Sequence, residues 1–149
     1  MAIYEAYYGD IFAINVDVLV NPVNTVGVMG KGLAKQFKER YPDMFEDYVR
    51  ICRKGFDIGQ LHVYHVSMDK TIINFPTKKH WKDPSSYDYI EAGLKQLTRY
   101  LNKNPVETIV IPPLGCGLGG LDFNIVNKMI SNILIPATPR KLIVYVVQQ

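Results

Sequence analysis

The stretch ETIVIPPLGCGLGGLDFNIV, Glu107 to Val126, decides the fold class. Its opening, ETIVI, is near-continuously apolar, as a central strand covered on both faces is. Two prolines and a glycine-rich segment follow. Asp122 then stands where a helix N-cap belongs, ahead of Val126, Met129, Ile130 and Ile133 at helical spacing. Strand, glycine loop and helix in succession form the repeating unit of α/β architecture. Glycines at such a junction let the backbone approach a ligand closely, and the first turn of the next helix offers unpaired N–H groups and a positive dipole end. The loop is therefore a candidate phosphate cradle.

Reading outward, VDVLVNPV followed by NTVGVMGKGLAKQF is a second unit of the same kind, and two such loops suggest a diphosphate. Neither loop has Walker spacing or GxGxxG with an acidic residue about 20 positions on. The runs IYEAYYG, QLHVYHVS, KTIINFP and RKLIVYVV read as further strands. Between them, helices are expected through KGLAKQFKERY, through PDMFEDYVRICRKG with Pro42 in the first turn and Gly55 as the stop, and through SYDYIEAGLKQLTRYLNK. In the last, Ile90, Leu94, Leu97 and Leu101 form one apolar stripe and Ser86 is the N-cap. The sum is a three-layer α/β/α domain with a mixed central sheet, one domain over residues 1–149.

Composition excludes several classes. The chain is 48% hydrophobic and 21% charged, with a net charge of +3, which permits an anionic ligand without demanding nucleic acid. No apolar run approaches the roughly 20 residues of a membrane span, and MAIYEAYYGD has no signal-peptide pattern, so a cytoplasmic protein is expected. The two cysteines, Cys52 and Cys116, form neither a zinc motif nor a disulfide framework. His62 and His65 are three apart on a strand and so face opposite sides; no metal and no cofactor are expected.

Polar residues mark the loops. Asn21 and Asn24 flank the end of the VDVLVNPV strand, where carboxamides can bond sugar hydroxyls or simply close an Asx-turn. Asp10, in YYGDIF, is a turn carboxylate by default and also a suitable acceptor for an adenine amino group or a ribose hydroxyl. The segment NFPTKKHWKDP, Asn74 to Pro84, runs from a strand into two lysines, a histidine and the single tryptophan. His80, Trp81 and Lys82 there are either nucleic-acid contacts, through stacking and phosphate neutralisation, or a loop packed on its own domain. Cys116 lies between two glycines with no identifiable base and reads as packing rather than a nucleophile.

Taken together, GDIF, NPVNTVGVMGKGLAKQFK, NFPTKKHWKDPSSYDYIEAGL and IPPLGCGLGGLD resemble the macrodomain family of ADP-ribose-binding modules. More narrowly they are similar to the macrodomains of DNA ADP-ribosyl glycohydrolase antitoxins, with kinship to the terminal ADP-ribose glycohydrolase branch. The resemblance runs from Gly9 to Val147, and NFPTKKHW is its most specific block. It implies Asp10 and Ile11 at the adenine, Asn21 and Asn24 near the distal ribose, and Gly30, Lys31, Gly32, Leu33 and Ala34 along the diphosphate. It places Gly115, Cys116, Gly117, Leu118, Gly119 and Gly120 around the second phosphate and distal ribose, Thr77 beside the ligand, and Lys78 as the catalytic lysine. The eukaryotic branch carries an aspartate where this chain has Gly119.

The resemblance implies an enzyme that removes ADP-ribose from a modified base, thymidine in DNA, preferably single-stranded. The same pocket also suits a non-catalytic ADP-ribose reader or an ADP-ribose 1″-phosphate phosphatase. Lys78 has two chemical options: attack as a neutral amine on the anomeric carbon, or charge stabilisation as an ammonium. A monomer is expected, without membrane contact, and with a toxin partner only as part of a longer antitoxin.

Overall fold

The computed structural model describes residues 1–149. Six strands, β1 (Ile3–Tyr7), β2 (Val18–Val23), β3 (His62–His65), β4 (Thr71–Pro76), β5 (Thr108–Ile111) and β6 (Ile143–Val147), form one sheet in the order β1-β6-β5-β2-β4-β3. All neighbours are parallel except β3 and β4. The sheet is mixed, as the alternation of runs predicts.

Helices α1 (Gly32–Arg40) and α2 (Pro42–Arg53) cover one face, where Leu19, Phe37, Met44, Tyr48 and Ile72 share a core. Helices α3 (Tyr87–Lys103) and α4 (Phe123–Met129) cover the other, with Val20, Phe75, Leu94, Leu97, Ile109 and Val126. The stripe Ile90, Leu94, Leu97 and Leu101 is fully buried. Ser86 caps α3, its hydroxyl accepting from the Asp88 amide. Gly93 is required within α3 because a Cβ there would lie 2.5 Å from Phe75 Cε1. Pro42 opens α2, and Gly55, at φ 106°, ends it in the left-handed region.

One helix differs from expectation. The segment after Asp122 is α-helical only to Met129 and continues as a π-helical turn over Ile130–Leu134, closed by Ile135 N–H donating to the Ile130 carbonyl at 3.2 Å. Val126, Ile130 and Leu134 are the buried positions, while Met129 and Ile133 are half-buried beside them. Steps of four between buried residues suit the wider turn, which keeps all three on the core.

The connections place the site. β2 and β5 are neighbours, yet the chain after β2 enters α1 on one face and the chain after β5 leads to α4 on the other. Their loops diverge at the carboxyl ends of the strands, and a crevice opens between them, as open parallel sheets form at such a switch. No helix is long and apolar enough to cross a membrane.

Candidate active site

A cavity of about 520 Å³ fills this crevice. One wall is the loop from β2 into α1, with Asn24, Gly30, Lys31, Gly32, Leu33 and Ala34; the opposite wall is the loop after β5, with Gly115, Gly117, Leu118 and Gly119. Thr77, Lys78 and Trp81, from the segment after β4, also line it. Pro22, Val23, Val28, Met29, Pro112, Pro113 and Gln149 complete the lining and were not singled out from sequence. The prolines stand beside the glycine loops and carry no ligand-binding signal of their own; Gln149 carries no sequence signal at all.

The two glycine loops differ in what they offer. Helix α1 has no side-chain cap at its start, and the amides of Gly32, Leu33 and Ala34 have no acceptor within the protein. A positive helix end therefore opens on the cavity. At α4 the Asp122 carboxylate accepts from the Asn124 amide at 2.8 Å, so a negative group already occupies the helix start. Asp122 is thus the N-cap that its place in the sequence predicts, and the start of α4 is less open than that of α1. The second loop instead carries the unpaired amides of Gly117, Leu118 and Gly119.

That loop is built around Ser85. The Ser85 amide donates to the Gly119 carbonyl at 3.0 Å, and the Leu121 amide to the Gly115 carbonyl at 2.9 Å. A Cβ on Gly119 would lie 2.5 Å from the Gly115 carbonyl oxygen and closer still to the Ser85 hydroxyl. Gly117 meets nothing within 4 Å. Gly120, at φ 81°, supplies the left-handed turn that closes the loop and does not reach the cavity. Cys116 also points away: it is buried, its thiol lies 3.3 Å from the Leu114 carbonyl, and burial together with the Asp122 charge pushes its pKa up to about 11. A thiol held protonated in this way is a poor nucleophile.

Lys78 is half-buried and its Nζ donates to the Trp81 carbonyl at 3.3 Å. Thr77 extends the β2–β4 ladder, its amide donating to the Val23 carbonyl at 2.8 Å. Lys79 is exposed and outside the cavity. No Asp, Glu, His or Cys side chain lines the cavity; Lys31 and Lys78 are its ionisable side chains. No group of three or more metal-ligating side chains is present.

Trp81 is 46% exposed on the cavity rim. His80 and Lys82 do not reach the cavity; they hold the indole. The His80 ring lies 5.3 Å from the Trp81 ring, its Nδ1 accepts from the Lys82 amide, and Lys82 Nζ sits 5.1 Å over the indole.

Four upstream residues are held by bonds or packing within the protein. Asn24 closes an Asx-turn: its Oδ1 accepts from the amides of Val26 and Val28, and its Nδ2 donates to the Val28 carbonyl. Asp10 caps a short 3-10 turn over Ile11–Ala13 through the Phe12 amide, and Ile11 is in the core; neither lines the cavity. Asn21 is fully buried inside the sheet. It belongs to a polar row across three strands, Asn21 and His62 each registering with Asn74. Asn21 Nδ2 donates to Asn74 Oδ1 (3.0 Å), Asn74 Nδ2 to His62 Nδ1 (2.9 Å), and His62 Nε2–H to Asp47 (2.7 Å). A single strand-residue from each element makes this row, so no local pattern announces it.

A family model for the Macro domain matches residues 20–130. The DNA ADP-ribosyl glycohydrolase of Mycobacterium tuberculosis is 48% identical over 124 residues, covering 80% of this chain and 35% of that protein. The solved macrodomain of Thermus aquaticus DarG superposes with a TM-score of 0.92 at 40% identity, covering 100% of both chains. Thermosipho africanus DarTG, solved in complex with ADP-ribose, gives 0.82 at 33% identity over 93% of this chain and 40% of that one. The chain thus spans about a third of the curated mycobacterial relative.

Proposed function

The chain belongs to the Macro domain family, and from that premise we propose that its cavity binds ADP-ribose and that Lys78 removes it from a modified base in DNA, thymidine in the best-supported reading. The observation that carries the proposal is that Lys78 lines the same cavity as both glycine loops. The free amides of Gly32 to Ala34 and of Gly117 to Gly119 suit the two phosphates of one diphosphate. Asn24 and Thr77 line the same cavity and are the polar side chains proposed to meet a ribose. Asp10, which bonds the Phe12 amide through one carboxylate oxygen, is the acceptor proposed for the adenine amino group.

Hydrolysis breaks the bond between the ribose anomeric carbon and the base nitrogen, adds water oxygen to that carbon and returns a proton to the base. The two-carboxylate route of glycosidases has no groups to use here, because no acidic side chain lines the cavity. Lys78 fills the role in one of two ways. As an amine it displaces the base and is itself released by water; as an ammonium it delivers charge or a proton to the departing base. Trp81, on the rim, gives the base a face to stack on. The relatives named for DNA ADP-ribosyl glycohydrolysis and for an ADP-ribose complex support this reading.

The test offers three substrates in parallel: ADP-ribosylated single-stranded DNA, ADP-ribosylated protein and ADP-ribose 1″-phosphate. Release from the DNA, faster than from the others, is the expected outcome. Binding of ADP-ribose without release from any of them would replace the enzyme with a reader.

A further inference from the structure

Helix α2 lines no part of the cavity, yet it carries a fully buried tyrosine bonded to a residue of the cavity wall. The Tyr48 hydroxyl lies 2.7 Å from the Asn24 carbonyl oxygen and 2.8 Å from Asn24 Oδ1. Burial raises its pKa far above the usual phenol value, so the hydroxyl remains a donor. The loop it meets rests on the same helix: a Cβ on Gly27 would lie 3.6 Å from Cys52 Cβ and 3.8 Å from Val49 Cα.

The consequence falls on the Asn24 carboxamide. Its oxygen already serves the amides of Val26 (3.1 Å) and Val28 (3.3 Å), and it shares the single Tyr48 hydroxyl proton with the Asn24 main-chain carbonyl. One Nδ2 proton goes to the Val28 carbonyl at 2.8 Å. What remains of a group with two donors and an acceptor is a single N–H in a residue of the cavity wall.

We propose that Tyr48 is a positioning residue acting through Asn24: it pins the carboxamide oxygen to the loop, so that Asn24 faces the cavity as a donor only and selects a ligand oxygen that accepts. This rests on the reading that the cavity takes ADP-ribose, whose ribose and phosphate oxygens are such acceptors.

A double-mutant cycle tests it, with calorimetric ADP-ribose affinities for the parent, Tyr48→Phe, Asn24→Ala and the double variant. Tyr48→Phe is expected to weaken binding about three- to tenfold when Asn24 is present, the range for one lost hydrogen bond, and less than about twofold when it is absent. Equal losses in both backgrounds, or no loss in either, would overturn the proposal, since a general loosening of α2 does not depend on residue 24. Parent-like binding by Asn24→Ala would instead overturn the assignment of Asn24 as a ligand contact. Should Asn24→Ala fail to fold, the side-chain amide protons of Asn24 are read by NMR in Tyr48→Phe alone. Faster exchange of those protons supports the proposal; unchanged exchange contradicts it.

Discussion

Thr25 and Lys79 are joined twice at one atom: the Thr25 amide, at 3.1 Å, and the Thr25 hydroxyl, at 2.7 Å, both donate to the Lys79 carbonyl oxygen. This pair staples the loop after β2 to the segment after β4. The residue before Thr25 is Asn24 and the residue before Lys79 is Lys78, so the staple sets the separation of two cavity-lining side chains.

Thr25→Val removes the hydroxyl bond and keeps the amide bond. Turnover on ADP-ribosylated DNA should fall about five- to tenfold, near 1 kcal/mol, with ADP-ribose affinity within about twofold. Thr25→Ser should behave as the parent. Steady-state release and calorimetry check both, and a parent-like Thr25→Val would show that the staple is dispensable.

The glycines of the second loop separate packing from access. Gly119→Ala drives a Cβ into Ser85 and the Gly115 carbonyl, and should cost about 1–3 kcal/mol in urea unfolding. Gly117→Ala meets nothing within 4 Å and should stay within about 0.5 kcal/mol of the parent. Equal stabilities would contradict the packing described for Ser85.

Asp47 provides a pH prediction. Its carboxylate accepts from the Arg50 guanidinium at 2.7 Å and from His62 Nε2–H at 2.7 Å, and these bonds, Arg50 first, hold its pKa below the ordinary carboxylate value. A depressed pKa contributes stability above the unfolded-state value and loses it as pH falls through the folded-state value. The stability gap between the parent and Asp47→Asn should be full at neutral pH and close below about pH 4, where unfolded aspartate titrates. A gap that does not change down to the acid limit of folding would refute the linkage.

Trp81→Ala should leave folding stability within about 0.5 kcal/mol, because the indole stands on the rim rather than in the core. It should raise KM for modified single-stranded DNA through a stacking loss of about 1–3 kcal/mol. A variant that loses stability instead would make the indole a packing residue.

Legibility in the sequence followed locality. Every strand run and the caps at Ser86 and Asp122 were readable, because periodicity and capping act over a few residues. The glycine loops and Lys78 were readable as motifs, and the fold brings them to one cavity. What escaped is what strands far apart create. Asn24 reads equally well as a sugar contact or an Asx-turn until Tyr48, twenty-four positions on, is seen bonded to it. The row Asn21, Asn74, His62 and Asp47 draws on four elements, so Asn21 looked like a loop residue and is an interior one. Asp10 carried two acceptable roles, and its bond to the Phe12 amide gives one oxygen to the turn.

Single-turnover release of ADP-ribose from ADP-ribosylated single-stranded DNA, by the parent, Lys78→Ala and Lys79→Ala, is the most direct test of Lys78 as the catalytic group. Lys78→Ala should lose at least about a hundredfold in rate, near 2.7 kcal/mol, while holding ADP-ribose within about tenfold of the parent affinity. Lys79→Ala, which removes an exposed ammonium outside the cavity, should stay close to the parent rate. Equal losses in the two variants, or a Lys78→Ala protein that releases ADP-ribose at the parent rate, would contradict the assignment.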